Sequence, residues 1–390
     1  MKYDDIGLLA NIGVRHLPLS MIQKASIDEL VSIHGSPLLL LDCQVLREQY
    51  QLLKHALPNV TLHFALKPLP HDAVVKTLLE QGACFDLASN GEVDMVRKQG
   101  VQPAHTIHTH PIKRDSDIRY AMDYGCRRFV IDSLNELEKF IPYKHEVSLF
   151  LRLSFPNADV FSDLSKKFGC ALEDALHIVS RAQALGICLN GLSFHVGSQT
   201  QDAQRYVFAI EKSWQLIKQI KDHHLPAIEC LDIGGGFPIA YGDEALNIET
   251  FCQPVRQALS KLDKSIQVLA EPGRFIVAPA VMSVASVMGQ AIRGGKPWYY
   301  LDDGVYGSFS GILFDHGHYP IDVLNVQGPK VPSVLAGPTC DSIDVIDEHI
   351  MLPKLRDGDL IVTRMMGAYT CATATDFNFF KKANIIALNE

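Results

Sequence analysis

The sequence has no pair of cysteines at CxxC spacing, and its nine cysteines, an odd number, are scattered along the chain. A disulfide framework or a zinc ribbon is therefore not expected, and a reducing cytoplasm is the compartment that fits. No apolar run approaches the roughly 20 residues that a bilayer span needs. The opening Met1-Lys2-Tyr3-Asp4-Asp5 is acidic and lacks the basic-then-apolar layout of a signal peptide. There is no short-period repeat, low-complexity tract or long charged linker, no Walker loop and no GxGxxG. Positive charge is not in excess. Lys plus Arg is 36 against 44 Asp plus Glu, for a net charge of −8, which argues against nucleic acid or an anionic membrane as the main partner.

What is present is a large core in the making: 390 residues, 47% hydrophobic and 21% charged, with 18 Phe and 12 Tyr. At roughly 150 residues per domain this allows two or three domains. The middle of the chain alternates short apolar or β-branched runs with longer amphipathic ones. Strands are expected at 61–66, 84–87, 105–108, 128–131, 147–153, 189–194, 228–233 and 267–270. Helices are expected at 71–81, 91–98, 115–124, 133–140, 171–185, 203–221 and 248–262, after a leading helix near 45–56. Eight such units predict a (β/α)8 TIM-like barrel over 43–275, with an open doubly wound sheet as the competitor. After Arg274 the helical rhythm stops. Runs at 277–290, 298–301, 323–328, 331–335 and 359–362 read as strands between Gly, Pro and Asp turns. The run 36–41 also reads as a strand that can join them. Residues 1–42 and 276–390 are thus expected to form an all-β, sandwich or barrel-like domain.

In barrels of this kind chemistry sits at the carboxyl ends of the strands. Those positions hold Lys67, Asp86, His108, Asp132, Arg152, His195, Gly234-Gly235-Gly236 and Glu271. A partly desolvated lysine such as Lys67 can form a Schiff base with a carbonyl. The glycines after the seventh strand let backbone N–H groups approach a phosphate. Glu271 offers a carboxylate to a ring nitrogen, and Arg274 adds a cation beside the glycines. Lysine, phosphate cradle and acid together point to pyridoxal phosphate, and no metal is expected.

The motifs carry a resemblance. Phe64-Ala-Leu-Lys67, Phe85-Asp-Leu-Ala-Ser89, His195-Val-Gly-Ser198, Leu231-Asp-Ile-Gly-Gly-Gly-Phe-Pro238 and Glu271-Pro-Gly-Arg274 lie in the barrel region. Asp303-Gly-Val-Tyr-Gly-Ser-Phe309, Phe314-Asp-His316, Gly337-Pro-Thr-Cys-Asp341 and Gly367-Ala-Tyr-Thr370 lie beyond it. From about Leu38 to Phe377 the chain resembles the pyridoxal-phosphate decarboxylases of the alanine-racemase fold, in their ornithine/lysine branch. The resemblance implies that Lys67 carries the cofactor and that His195 stacks on its ring. It gives the phosphate to Ser198, Gly235, Gly236, Arg274 and Tyr369, and the pyridine nitrogen to Glu271, with Asp86 and Arg152 in support. It makes Cys340 the proton donor to Cα. Asp315 and Asp341 would grip the distal ammonium of a basic amino acid, with Tyr306 and Phe377 completing the substrate set. It also implies a homodimer with shared active sites, in which Cys340 and Asp341 serve the opposite subunit and Asp344 pairs with Lys167 across the interface.

The product would be putrescine or cadaverine, in polyamine biosynthesis. Pro68-Leu69 after the lysine and Phe379 after Asn378 depart from the family pattern and bear on substrate choice. The tail of animal ornithine decarboxylases has no counterpart, so tail-directed turnover is not expected. The alternatives are a relative acting on diaminopimelate, a carboxyspermidine-type compound or arginine, and a non-catalytic binding homologue.

Overall fold

The computed structural model describes residues 24–156, 164–242 and 246–390. They divide into two compact units: one holds the described residues within 47–239 and 246–275, the other those within 1–46, 240–245 and 276–390.

Strand β1 (Leu38–Asp42) belongs to the second unit. The first unit is built on β2 (Val60–Ala65), β3 (Cys84–Leu87), β4 (Thr106–His108), β5 (Arg128–Ile131), β6 (Ser148–Leu153), β7 (Leu189–Phe194), β8 (Cys230–Asp232) and β9 (Gln267–Ala270). These pair in parallel in chain order, and β9 closes onto β2 with Val60 opposite Val268 and Leu62 opposite Ala270. Closure removes both sheet edges and excludes the open-sheet alternative. The run expected at 228–233 shortens to three residues, but the pairing continues past it: Glu229 N donates to Asn190 O at 2.8 Å and Ile233 N to Leu269 O at 2.9 Å.

Side chains alternate in direction along each strand, so half of them fill the barrel. Ile107, Val130, Phe150, Cys230 and Leu269 form one buried cluster there. Gly191 on β7 makes room for it, because a Cβ at that position would run into the Phe150 ring. The helices between the strands bury the stripe that their 3.6-residue period dictates. In Gln204–Asp222 the buried residues are Tyr206, Ala209, Ile210, Ser213, Leu216, Ile217 and Ile220, and each large side chain among them contributes roughly 1.5–3 kcal/mol. Asp115–Tyr124 stops at Gly125, whose φ of +110° and close approach to Pro103 exclude a side chain.

In the second unit, β1 pairs with β10 (Val281–Arg293), and the mixed sheet continues through β11 (Lys296–Leu301), β12 (Ile321–Val323), β13 (Val331–Ala336), β14 (Val345–Leu352), β15 (Leu360–Thr363) and β16 (Asn384–Leu388). Its order is β12-β15-β10-β11-β13-β14, with β1 antiparallel to β10 and parallel to β16. Leu38 and Leu40 share one face of β1 and pack with Ile27, Met282, Val284, Leu324, Leu360 and Val362. The strand expected from 277 starts only at Val281, because 274–280 wind into helical turns around Pro279. The strand expected at 323–328 lies instead at Ile321–Val323. Asn325 takes a φ of +60°, which turns the chain out of the extended region.

Candidate active site

Several strands of the barrel deliver a polar residue to the same end. Lys67 follows β2 and is exposed, whereas Asp86, on β3, is 3% exposed and accepts a hydrogen bond from the Thr109 hydroxyl. Burial, and then the neighbouring Glu271, push the Asp86 carboxyl up to about 7, against the opposing pull of Lys67 and Arg152. Glu92, behind it, accepts from Ala88 N at 2.5 Å and is also pushed up to about 7, chiefly by burial. On β6, Arg152 lies 5.4 Å above the Phe168 ring. Burial draws its proton affinity down, while Glu271, Asp132, Asp86 and Asp232 draw it up.

His195 follows β7. Its Nδ1 accepts from Gly197 N at 3.0 Å, which assigns the ring proton of the neutral imidazole to Nε2. Burial, then Lys67 and Arg152, hold its pKa well below the ordinary value, so the ring is neutral at physiological pH.

The loops after β7, β8 and β9 are laced together by backbone. Thr200 N donates to Gly236 O at 3.0 Å, and Glu271 N donates to Gly234 O at 2.9 Å. Gln199 brackets Ile239, accepting from its N–H at 2.8 Å and donating to its carbonyl at 2.9 Å. Gly234 and Gly236 have φ of +68° and +103°. A Cβ on Gly235 would stand 2.5 Å from Glu271 O and 3.3 Å from His195 Nε2, so the backbone here is bare by necessity. Arg274 Nη2 donates to Ser198 Oγ at 3.3 Å beside these loops. A bare glycine backbone, a hydroxyl and a guanidinium can take a phosphate, and the half-buried carboxyl of Glu271 can face a ring nitrogen.

Two expected members are placed elsewhere. Ile107 faces the barrel interior, so His108, the next residue, points to the other face of the sheet, where its ring tilts on Phe129 at 5.8 Å. Asp132 accepts from Gly169 N at 3.1 Å and so supports the loop that follows β6. Asp232, which the sequence reading passed over as a strand residue, is fully buried.

The second unit gathers its own set. The Tyr306 hydroxyl donates to Asp341 Oδ2 at 2.5 Å, and its ring stacks on Phe377 at 4.5 Å. That hydroxyl and Ile343 N hold the Asp341 carboxyl below the usual range. Cys340 is exposed, and its N–H donates to Asn378 Oδ1 at 3.0 Å. Asp315 is half-buried after the short Gly311–Phe314 helix, and its N–H bonds Gly311 O at 3.0 Å. Tyr369 is half-buried with a φ of +56°. Phe379 is 94% exposed. Asp344 is 3% exposed and accepts from Val305 N at 2.8 Å and Thr339 N at 2.9 Å. Lys167 lies 5.0 Å over the Phe168 ring. Among the described residues no group of His, Cys, Asp and Glu could hold a metal ion, and no helix is long and apolar enough to cross a membrane.

A closed barrel that ends in a lysine, a neutral imidazole, buried acids and a bare glycine loop defines an enzyme fitted to a phosphorylated, nitrogen-containing ring cofactor. The family model described as the pyridoxal-binding domain of pyridoxal-dependent decarboxylases matches residues 43–278, and the chain belongs to that family. It is 34% identical over 357 residues to a lysine/ornithine decarboxylase of Selenomonas ruminantium, covering 91% of this chain and 90% of that protein. It is similar to the crystal structure of a lysine/ornithine decarboxylase from Vibrio vulnificus complexed with cadaverine, at 58% identity and a TM-score of 0.92, covering 96% of this chain and 100% of that one. The putrescine complex from the same organism matches at 57% identity and a TM-score of 0.91, over 95% and 99% of the two chains.

Proposed function

We propose that this pyridoxal-phosphate enzyme decarboxylates L-ornithine, L-lysine or both, yielding putrescine or cadaverine. The observation that carries the reading is the charge of the second unit's cluster. Asp341 is held ionised by Tyr306 and stacked aromatic Phe377 lies beside it, a setting that suits a distal ammonium and repels a distal carboxylate.

In this reading Lys67 holds the cofactor covalently. Ser198, Gly235, Gly236 and Arg274 take its phosphate, with Tyr369 as a further ligand. His195, being neutral, packs on the ring face without adding charge there. Glu271 pairs with the ring nitrogen, and Asp86 and Arg152 set the field around it. The cofactor, when bound, supplies an electron sink for the pair left behind as CO2 departs. Cys340 then delivers a proton to Cα, and Asp315 and Asp341 fix the substrate's far end. The barrel domain is taken as 43–275. The domain of 1–42 and 276–390 forms a cytoplasmic homodimer in which Cys340 and Asp341 complete the opposite subunit's site.

The test is CO2 release from ornithine, lysine, arginine and diaminopimelate. Ornithine or lysine should turn over fastest, with the matching diamine as product. Preference for diaminopimelate or arginine would overturn the substrate assignment. A purified protein with no cofactor absorbance and no turnover of any of the four would support a binding homologue instead.

A further inference from the structure

Asp232 closes β8 and is fully buried. One of its oxygens accepts from Gly234 N at 2.9 Å. Its other oxygen, Oδ2, is equally buried and has no donor to receive. The side chain within hydrogen-bonding reach of Asp232 is another carboxyl, that of Glu271. The backbone closes the same circuit, since Gly234 O takes the N–H of Glu271 at 2.9 Å.

Two ionised carboxylates offer each other only lone pairs, and in a buried site they repel. One proton turns that repulsion into a charge-assisted hydrogen bond. We propose that Asp232 and Glu271 share a single proton, and that Asp232 is thereby the positioning residue for Glu271.

The surroundings agree. Facing the pair are the carboxyl of Asp86 and the cations Lys67 and Arg152, with Glu92 behind Asp86, the neutral His195 beside Lys67 and Arg152, and Asp132 beyond Arg152. Acids outnumber cations, so protons must offset the surplus. Burial raises both members of the pair, Asp232 to about 6 and Glu271 well above the usual range, and the proton belongs to the pair rather than to either residue. When the ring nitrogen of the cofactor engages Glu271, Asp232 keeps the proton and Glu271 is the ionised member. Its acid partner is then already in place and nothing need be drawn from solvent. This consequence rests on the function proposed above, whereas the shared proton does not.

The experiment is infrared spectroscopy of the full-length protein, freed of cofactor, in H2O and D2O from pH 5 to 9. Above the carboxylic-acid background of Asp86 and Glu92, which both variants keep, the wild type should show a further deuterium-sensitive carboxylic-acid band at pH 7 that both Asp232→Asn and Glu271→Gln remove, because each amide donates to the carboxylate that remains. If Asp232→Asn retains the whole band, the pair does not share a proton and the proposal falls.

Cofactor titration supplies the second readout. Asp232→Asn should bind pyridoxal phosphate within about threefold of wild type, and Asp232→Ala at least about tenfold more weakly. Equal weakening in both variants would overturn the positioning role. A Glu271→Gln variant that loses the band yet keeps wild-type turnover would instead remove Glu271 from the ring nitrogen while leaving the shared proton intact.

Discussion

At the scale of single residues, Asp86 carries the clearest dependence on pH. Its carboxyl stands at about 7 in the folded protein against roughly 3.9 for an unfolded aspartate, so folding takes up a proton. The contribution is fully present below about pH 4 and is lost as the pH rises through about 7. Asp86→Asn keeps an acceptor for the Thr109 hydroxyl and removes the buried charge. The cofactor-free variant should therefore gain on wild type by about 2.5 kcal/mol between pH 5 and pH 8, out of a full span of about 4 kcal/mol at 1.36 kcal/mol per unit of pKa shift. Thermal unfolding at the two pH values checks it, and a gap in Tm that does not widen would mean the carboxyl is solvated. Asp341 is tested by selectivity. Asp341→Ala should lose at least about 30-fold in kcat/KM toward ornithine or lysine, with cofactor content unchanged. Equal loss of cofactor would make it a structural residue.

These polar residues were legible because a barrel repeats. Once eight strands are counted, Lys67, Asp86, Arg152, His195 and Glu271 fall at equivalent ends, where packing alone does not ask for charge. His108 shows the limit of counting, because one residue along a strand reverses the face. Asp232 was hidden for a related reason. An acid at the end of an apolar strand reads as a strand residue, and only burial together with a second carboxyl reveals its use.

Among the elements, the loop that carries Cys340 and Asp341 depends on a residue outside it. Asp344 receives two backbone N–H groups, from Val305 and Thr339. Asp344→Ala strands both donors inside the unit and should cost about 2–6 kcal/mol, at roughly 1–3 kcal/mol for each unsatisfied group. Asp344→Asn, which keeps one acceptor, should fall between it and wild type in a urea melt. A variant as stable as wild type would mean that water reaches both amides. Strands β14 and β16 escaped the sequence reading for different reasons. The alternation of β14 is broken by the polar run Asp347-Glu348-His349, and β13 holds the strand by pairing. β16 is a short run that gains its place from β1.

On the scale of the whole molecule, shared sites make a dimer measurable by complementation. Lys67→Ala and Cys340→Ala chains are each expected to be inactive. Mixed in equal amounts they should recover up to about a quarter of wild-type activity. Random pairing puts half the chains in hybrids, and each hybrid has one intact site of two. No recovery, with exchange shown by mass, would place each site within one chain.

The position of β1 sets an order of events during synthesis. This strand leaves the ribosome early, but its two neighbours, β10 and β16, are translated only after the entire barrel. At about 5–20 residues per second, Leu38 to Leu41 wait on the order of tens of seconds for partners. Four consecutive leucines in an unpaired strand are a template for wrong pairing during that interval. A nascent chain stalled before Val281 should therefore present this segment to chaperones, and one stalled after Leu388 should conceal it.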